Sequence, residues 1–163
     1  MYKKGGELSL ILDEIKSTSK VSYIPFTNTF RSYRGLNVTE KMVYLTLWSM
    51  AGEKSYAFPS VPTICGELGI SKSTLLRTLK TLEEKKCIYV INQFDKETER
   101  QLSNLYYVVE WIANESRFNT SHFELLERLY PTKKRYLTTE EANKFRKTKK
   151  PPKTNDNLEW LLR

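Results

Sequence analysis

Apolar residues recur at helical spacing through the middle of the chain and predict three successive helices. The helices are expected at residues 36–54, 60–68 and 71–86. In the third helix, Leu75, Leu79 and Leu82 lie at positions i, i+4 and i+7 and therefore share one face. The opposite face is polar, so this helix is expected to pack on one side only.

Capping residues mark where these helices begin and end. Thr39 is expected to cap the first helix, Ser60 the second and Ser71 the third, because a hydroxyl can accept a hydrogen bond from a free N–H of the first turn. Gly52 and Gly69 are placed to end the first and second helices, since glycine adopts the left-handed conformation without strain.

Two strands are predicted after the third helix. Residues 87–94 are β-branched and aromatic, residues 95–99 form a polar turn, and residues 100–111 return. Further helices are expected at 7–18, 119–131 and 137–150, and the stretch 20–36 predicts a strand or extended arm leading into the domain.

A helix, a second helix, a glycine-containing turn, a polar-faced third helix and a hairpin follow the order of a winged helix-turn-helix. The expected fold class is α+β, mainly helical, with N- and C-terminal extensions. The chain is divided into the following segments: an arm and lead-in strand at 1–35, the winged helix-turn-helix at 36–111, a helical extension at 112–148, and a basic linker with a terminal apolar segment at 149–163.

The net charge of +8 lies mostly at the two ends of the chain, with the C-terminal end in the lead. Basic ends commonly attract polyanions such as nucleic acid, although a solvated tail without a partner is the simpler alternative. Cys65, Cys87 and the single histidine, His122, do not form a metal-binding pattern, so no metal and no cofactor are expected. We find no signal peptide and no membrane span, and expect a cytoplasmic protein with free thiols.

Several short motifs resemble a particular winged helix-turn-helix, found in replication initiator and replisome-organiser proteins of Gram-positive plasmids and phages and in some bacterial regulators. The motifs are FPS at 58–60, LGIS at 68–71, LKTLE at 79–83 and NLY at 104–106. The resemblance implies the winged-helix fold and DNA binding, and it covers less than half of the chain. Cys87 and Leu76 depart from residues that are common in that family.

The polar face of the third helix is the candidate DNA-reading surface, because residues in the first two turns of such a helix reach base edges in the major groove. The candidate residues are Ser71, Lys72, Ser73, Leu76, Arg77 and Lys80. Arg77 suits a bidentate contact with guanine, and Leu76 suits a thymine methyl group. An ordinary solvated helix face is the alternative.

Other basic residues are weaker candidates for contact with phosphates. In the hairpin turn, Lys96 and Arg100 compete with three acidic residues, which disfavours an approach to DNA. In the tail, the cationic residues that could track phosphates are Lys133, Lys134, Arg135, Arg146 and Lys147. The last apolar residues, which could bind another replication protein or fold back on the domain, are Leu158, Trp160, Leu161 and Leu162.

The sequence lacks a phosphate-binding glycine loop, a metal cluster and a nucleophile motif, so an enzyme is not expected. The preferred function is sequence-specific binding of double-stranded DNA by a homodimer, in replication initiation or replisome organisation for a plasmid, phage or other mobile element. A transcriptional regulator that uses the same helix is the first alternative. A protein–protein adaptor that does not bind DNA is the second.

Overall fold

The computed structural model describes residues 27–147, with side chains to residue 143. The helices are α1 (Asn28–Ser32), α2 (Val38–Ala51), α3 (Val61–Leu68), α4 (Lys72–Glu84), α5 (Thr120–Leu129) and α6 (Thr139–Lys147). The strands are β1 (Tyr56–Ala57), β2 (Ile88–Asp95), β3 (Leu105–Val108), β4 (Trp111–Ile112), β5 (Arg117–Phe118) and β6 (Lys134–Leu137). A short 3₁₀ turn, Gly52–Lys54, joins α2 to β1.

The protein is a winged helix-turn-helix, which confirms the fold predicted from the sequence. Helices α2, α3 and α4 pack together against a sheet whose strand order is β1-β3-β2-β6. Strands β2 and β3 are the antiparallel hairpin that forms the wing. Leu47, Ile64, Leu75 and Ile88 come from three helices and the sheet, and each is completely buried in the shared core.

Two of the predicted N-caps are confirmed and one is wrong. Ser60 accepts a hydrogen bond from the backbone N–H of Thr63 at 3.3 Å. Ser71 caps α4 in the same way and is described below. Helix α2 is capped by Asn37 and not by Thr39, because Asn37 and Glu40 form a reciprocal pair. The Asn37 side chain accepts from the Glu40 N–H at 2.8 Å, and the Glu40 carboxylate accepts from the Asn37 N–H at 2.9 Å.

The two glycine stops are confirmed. Gly52 follows the last residue of α2 with a φ of 55°, and Gly69 follows α3 with a φ of 63°. An L side chain is strained at a positive φ, which explains why glycine serves at both positions. The left-handed turn at Gly69 brings the chain directly from the end of α3 to the cap of α4.

The extended arm predicted at 20–36 is wrong where the structure describes it, because residues 28–32 are helical. Thr27 caps this short helix by accepting a hydrogen bond from the Phe30 N–H at 3.4 Å. The Phe30 ring packs against Tyr44 of α2, with ring centroids 5.2 Å apart, and against Trp111 at 5.3 Å. Burial of Phe30 in this aromatic cluster stabilises a helix that five residues alone could not maintain. The helix predicted at 7–18 lies outside the described residues.

The C-terminal extension packs on the second face of the sheet. The Phe123 ring of α5 meets the Tyr89 ring of β2 edge-on at 5.3 Å, and the Tyr89 hydroxyl donates a hydrogen bond to the Tyr130 carbonyl at 2.7 Å. The predicted helices at 119–131 and 137–150 are present as α5 and α6. Strand β6 lies between them and was not predicted. No helix within residues 27–147 has the length and apolar character needed to cross a bilayer.

Candidate nucleic-acid interface

Helix α4 is held to the core by its apolar face. Leu75 and Leu82 are completely buried, and Leu79 retains 6% of its accessible surface. At the start of the helix, the Ser71 side chain accepts a hydrogen bond from the Thr74 N–H at 3.2 Å. The predicted cap and the predicted leucine stripe are both confirmed, and together they fix which side of the helix faces outward.

All six candidate residues of the outer face are solvent-exposed in this structure. They are Ser71, Lys72, Ser73, Leu76, Arg77 and Lys80. Leu76 is 47% exposed although it is a large apolar residue. Lys80 lies 4.0 Å from Glu84, and both side chains are largely exposed. Among the described residues, Lys72 and Arg77 form no ion pair, so their charges are available to a binding partner.

The end of α4 is attached to the start of α2. Lys85, which follows the last residue of α4, donates to the Glu40 carboxylate at 2.8 Å. The same carboxylate caps α2, and Glu40 retains only 5% of its accessible surface. Lys85 is therefore engaged in a structural contact. This contact fixes the position of α4 relative to α2.

A second attachment joins α4 to the C-terminal extension. The Glu83 carboxylate accepts a hydrogen bond from the Val90 N–H at 3.2 Å and from the Lys133 ammonium group at 2.7 Å. The Lys133 ammonium group also lies 5.1 Å from the centre of the Tyr89 ring. Lys133 was predicted to contact phosphates as part of a tail, but in this structure it is paired with the Glu83 carboxylate of the same protein.

The turn between α4 and β2 contains a residue in the left-handed conformation. Lys86 has a φ of 59°, and the following Cys87 N–H donates to the Leu82 carbonyl at 2.9 Å. This arrangement closes the helix with the hydrogen bond of a Schellman motif. The Cys87 side chain is completely buried, and its burial raises the pKa of the thiol to about 12.

The turn at the tip of the wing is organised around a buried carboxylate. Asp95 accepts hydrogen bonds from the backbone N–H groups of Glu97 at 3.0 Å and Thr98 at 3.3 Å, and from the Thr139 hydroxyl at 3.4 Å. Hydrogen bonds to the charged form lower the pKa of Asp95, with the Glu97 N–H the largest cause. The two cationic candidates of the turn, Lys96 and Arg100, are both exposed.

Strand β6 places the remaining tail candidates in new surroundings. It pairs with β2 in parallel, with Lys134 opposite Asn92 and Arg135 opposite Gln93. Lys134 and Arg135 therefore belong to the sheet and Lys133 directly precedes it, so this segment is not a free tail; a contact of these residues with phosphate stays a prediction. Lys134 is exposed and Arg135 is partly buried. The positions of Arg146 and Lys147 fall in α6 without described side chains, and residues 158–162 lie outside the described residues.

A cleft of about 580 Å³ lies between the start of α3 and the returning strand of the wing. Ser60 and Val61 line it on the helix side, and Arg100, Ser103 and Tyr106 line it on the wing side. Within the described residues, no three side chains of histidine, cysteine, aspartate or glutamate are grouped as a metal site.

Sequence reasoning missed three groups that shape this surface. The sequence analysis assigned no contact to Glu40, named Glu83 only as part of a short motif, and did not consider Tyr136. The Asn37–Glu40 spacing is a capping-box signal that could have identified the first residue. No local signal connects Glu83 or Tyr136 to partners that lie far away in the sequence.

Comparison with known families supports the central part of this description. A family model described as a helix-turn-helix domain matches residues 34–88, which run from the approach to α2 to the first residue of β2. This match covers a third of the chain. A comparison with curated proteins gave no match.

Two solved structures show a loose similarity over most of the chain. One is a MarR/EmrR family transcriptional regulator from Acinetobacter sp. ADP1, with 23% identity, a TM-score of 0.36, and coverage of 87% of this chain and 84% of that one. The other is a cysteine-to-serine mutant of Lactococcus lactis ZitR in complex with DNA, with 17% identity, a TM-score of 0.36, and coverage of 87% and 90%. At these values, we draw no functional conclusion from either structure.

Proposed function

We propose that this chain is a sequence-specific double-stranded DNA-binding protein that reads the major groove with the first half of α4. The observation that carries the proposal is the combination of a buried leucine face with an exposed outer face, on which Lys72 and Arg77 form no ion pair among the described residues. A B-form major groove is about 12 Å wide and admits one α-helix. Helix α4 presents Lys72, Leu76 and Arg77 on the side that would enter it.

The residues of this face suit different parts of a duplex. Arg77 has a planar guanidinium group that can donate two hydrogen bonds to guanine O6 and N7, whereas Leu76 can contact a thymine methyl group. The first turn of α4 carries free backbone N–H groups and the positive end of the helix dipole, which favours a phosphate beside Ser71. Lys80 is one turn further along and suits a phosphate contact.

The proposal is tested by selecting bound fragments from a random duplex pool and then measuring the affinity of variants for the selected site. We expect Arg77→Ala to lose roughly 1–3 kcal/mol of binding free energy on the selected site and less on unrelated sequences. Arg128→Ala is the matched control, because Arg128 is an exposed arginine on α5.

A loss that is equal on all sequences would reduce Arg77 to a phosphate contact and remove its role in base reading. Unchanged duplex binding in both Arg77→Ala and Lys80→Ala would contradict DNA binding through α4. That result would favour the second alternative, a protein–protein adaptor that does not bind DNA.

We place regulation of transcription ahead of replication initiation as the biological role. Binding a duplex site is sufficient for the first role, and the fold supports such binding. The second role also requires another replication protein, and the segment predicted to bind it lies outside the described residues. The resemblance to replication initiators rests on short sequence motifs, and no comparison adds a replication protein to it.

The location of the selected sites distinguishes the two roles. Single or paired sites that overlap promoters, with transcription altered when the protein is removed, would support regulation. Repeated sites in an origin, with plasmid maintenance lost in Arg77→Ala, would support initiation.

We also propose a homodimer, and sedimentation of the full chain with and without duplex would measure its stoichiometry.

A further inference from the structure

The wing of this protein has a third strand, and this strand changes which part of the wing can meet a ligand. Strand β6 runs parallel to β2 along the edge that the hairpin would otherwise leave open, with Asn92 opposite Lys134 and Phe94 opposite Tyr136. Opposite residues in a sheet point to the same face. One face of the widened wing therefore carries Asn92, Phe94, Lys134 and Tyr136.

Packing identifies this as the side of the sheet that carries the helix-turn-helix. Tyr106 pairs with Val90 and therefore lies on the same face as Asn92 and Phe94. It lines a cleft together with Ser60 and Val61 at the start of α3. Tyr89 points to the opposite face of the sheet, where its ring contacts Phe123 of α5. The four residues at the outer end of the wing consequently face the same side as α4. We refer to Asn92, Phe94, Lys134 and Tyr136 as the wing face.

The chemistry of the wing face suits a sugar–phosphate backbone. The rings of Phe94 and Tyr136 stack with centroids 5.6 Å apart at an angle of 29°, and Tyr136 remains 57% exposed. Lys134 is exposed beside them, and Asn92 adds an amide. A flat aromatic surface can pack against deoxyribose, while the ammonium, amide and phenol groups can donate hydrogen bonds to phosphate oxygens.

The tip of the wing is less suited to DNA than its face. The tip carries the three carboxylates of Asp95, Glu97 and Glu99; Asp95 has three hydrogen-bond donors from the protein itself, and Glu97 and Glu99 are exposed. These carboxylates outnumber the exposed cations at the turn, Lys96 and Arg100, and would repel phosphate.

The strands next to and within the wing adjoin the elements that would hold a duplex. The ion pair between Lys133 and Glu83 places the start of β6 against the last turn of α4. The 580 Å³ cleft is lined by Tyr106 and by the start of α3. Because Tyr106 pairs with Val90, its side chain lies on the same side of the sheet as the wing face. A backbone strand that leaves the groove occupied by α4 would meet this side of the wing.

We propose that the wing binds the sugar–phosphate backbone of the duplex with its face, through Lys134 and Tyr136, and not with its tip. This inference rests on the proposed function, since it assigns a second contact to the same complex. Strand β6 supplies both of the named side chains, so the contact depends on the parallel strand that the C-terminal extension adds.

The test measures binding of the full chain to the selected duplex by fluorescence anisotropy at four salt concentrations. We expect Lys134→Gln to reduce the slope of log affinity against log salt by about 1, because one phosphate contact is lost. Tyr136→Ala is expected to weaken binding several-fold on all sequences, and Tyr136→Phe to weaken it less. Lys96→Gln, at the tip, is the matched control and is expected to leave the slope unchanged.

Folding is checked for each variant by thermal unfolding, and Lys134→Gln keeps the test valid if Tyr136→Ala is unstable. A slope reduced by Lys96→Gln but not by Lys134→Gln would overturn the inference and assign the contact to the tip. Wild-type slopes in both lysine variants and wild-type affinity in Tyr136→Ala would also overturn it. If Arg77→Ala weakens binding in that case, the proposed function stands; if Arg77→Ala also binds like the wild type, the proposed function fails as well.

Discussion

Helix α4 and the turn of the wing are both rich in polar residues, but they use them in opposite ways. In α4, the leucine face is buried and the side chains of Lys72 and Arg77 remain exposed without an ion pair among the described residues. In the turn, the Asp95 carboxylate is buried and accepts hydrogen bonds from the turn itself. The number of charges in a segment therefore does not tell how many are available to bind a ligand.

The difference follows from the geometry of the two elements. A helix satisfies its own backbone groups by regular hydrogen bonds, so its outer side chains are left for other partners. A turn leaves backbone N–H groups unpaired, and an aspartate at its start commonly binds them. We expect helix positions to separate into buried residues that control stability and exposed residues that control binding, whereas Asp95 controls the local structure of the turn.

Two adjacent leucines of α4 give the strongest test of this separation. Leu75→Ala leaves a cavity in the core and is expected to lower the free energy of unfolding by about 2–5 kcal/mol. Leu76→Ala removes an exposed side chain and is expected to change it by about 0.5 kcal/mol or less. Urea unfolding monitored by circular dichroism measures both. Equal losses would show that Leu76 packs against the protein and is not available to DNA.

A smaller effect is expected from the attachment between α4 and α2. Glu40→Ala removes a helix cap and the partner of Lys85, and we expect a loss of about 1–3 kcal/mol in the free energy of unfolding. Glu84→Ala is the control, because its pair with Lys80 is exposed and is expected to contribute about 0.5 kcal/mol or less. Similar losses in the two variants would show that the Glu40 contact does not hold the helices together.

The wing turn is expected to respond to pH, with a smaller change in stability than Glu40→Ala produces. The pKa of Asp95 in the folded protein lies below its ordinary value of 3.8, so the charged carboxylate stabilises the folded state. This stabilisation is complete above that ordinary value and is lost as pH falls through the folded-state pKa. Asp95→Asn should therefore be less stable than wild type at neutral pH.

Urea unfolding between pH 7 and pH 2 checks this expectation. The stability curves of wild type and Asp95→Asn should approach each other as the pH falls, because the wild-type carboxyl is then increasingly protonated. A difference that stays constant over the whole range would mean that the charge of Asp95 does not hold the turn.

The smallest expected effect is a stabilisation at the end of α4. Lys86 has a positive φ, which strains any residue with a Cβ atom, so Lys86→Gly is expected to be more stable than Lys86→Ala by about 0.5–1 kcal/mol. Both variants lose the contact of the Lys86 ammonium group with the Phe123 ring, so their difference reports the backbone alone. Chemical unfolding of the two variants measures it, and a more stable alanine variant would contradict the left-handed conformation.

Local patterns in the sequence were sufficient to predict α4, its cap and the hairpin that follows. Leu75, Leu79 and Leu82 repeat at helical spacing, and Ser71 and Gly69 carry the signals of a tight turn into a helix. These interactions connect residues close in the chain, so a reading of adjacent positions can find them. The outward orientation of Arg77 follows from the same spacing, and the structure places it there.

Interactions between distant residues account for what the sequence did not reveal. Strand β6 forms because residues 134–137 meet the edge of β2, which lies some forty residues earlier, and nothing in its short sequence distinguishes it from a linker. Phe30 similarly needs Tyr44 and Trp111 before residues 28–32 become a helix. The prediction that Thr39 caps α2 failed for a different reason: the capping box formed by Asn37 and Glu40 begins two residues earlier and caps the helix instead.

The parallel pairing of β6 with β2 has a consequence for the synthesis of this protein. Until the ribosome has made residue 137, β2 presents an open row of backbone donors and acceptors, and such an edge can recruit a strand from another chain. A fragment that stops after α5 would keep the helices of the core and would lack this cover. Aggregation of such fragments, under conditions where the chain that includes β6 does not aggregate, would be the visible sign that β6 protects the nascent domain.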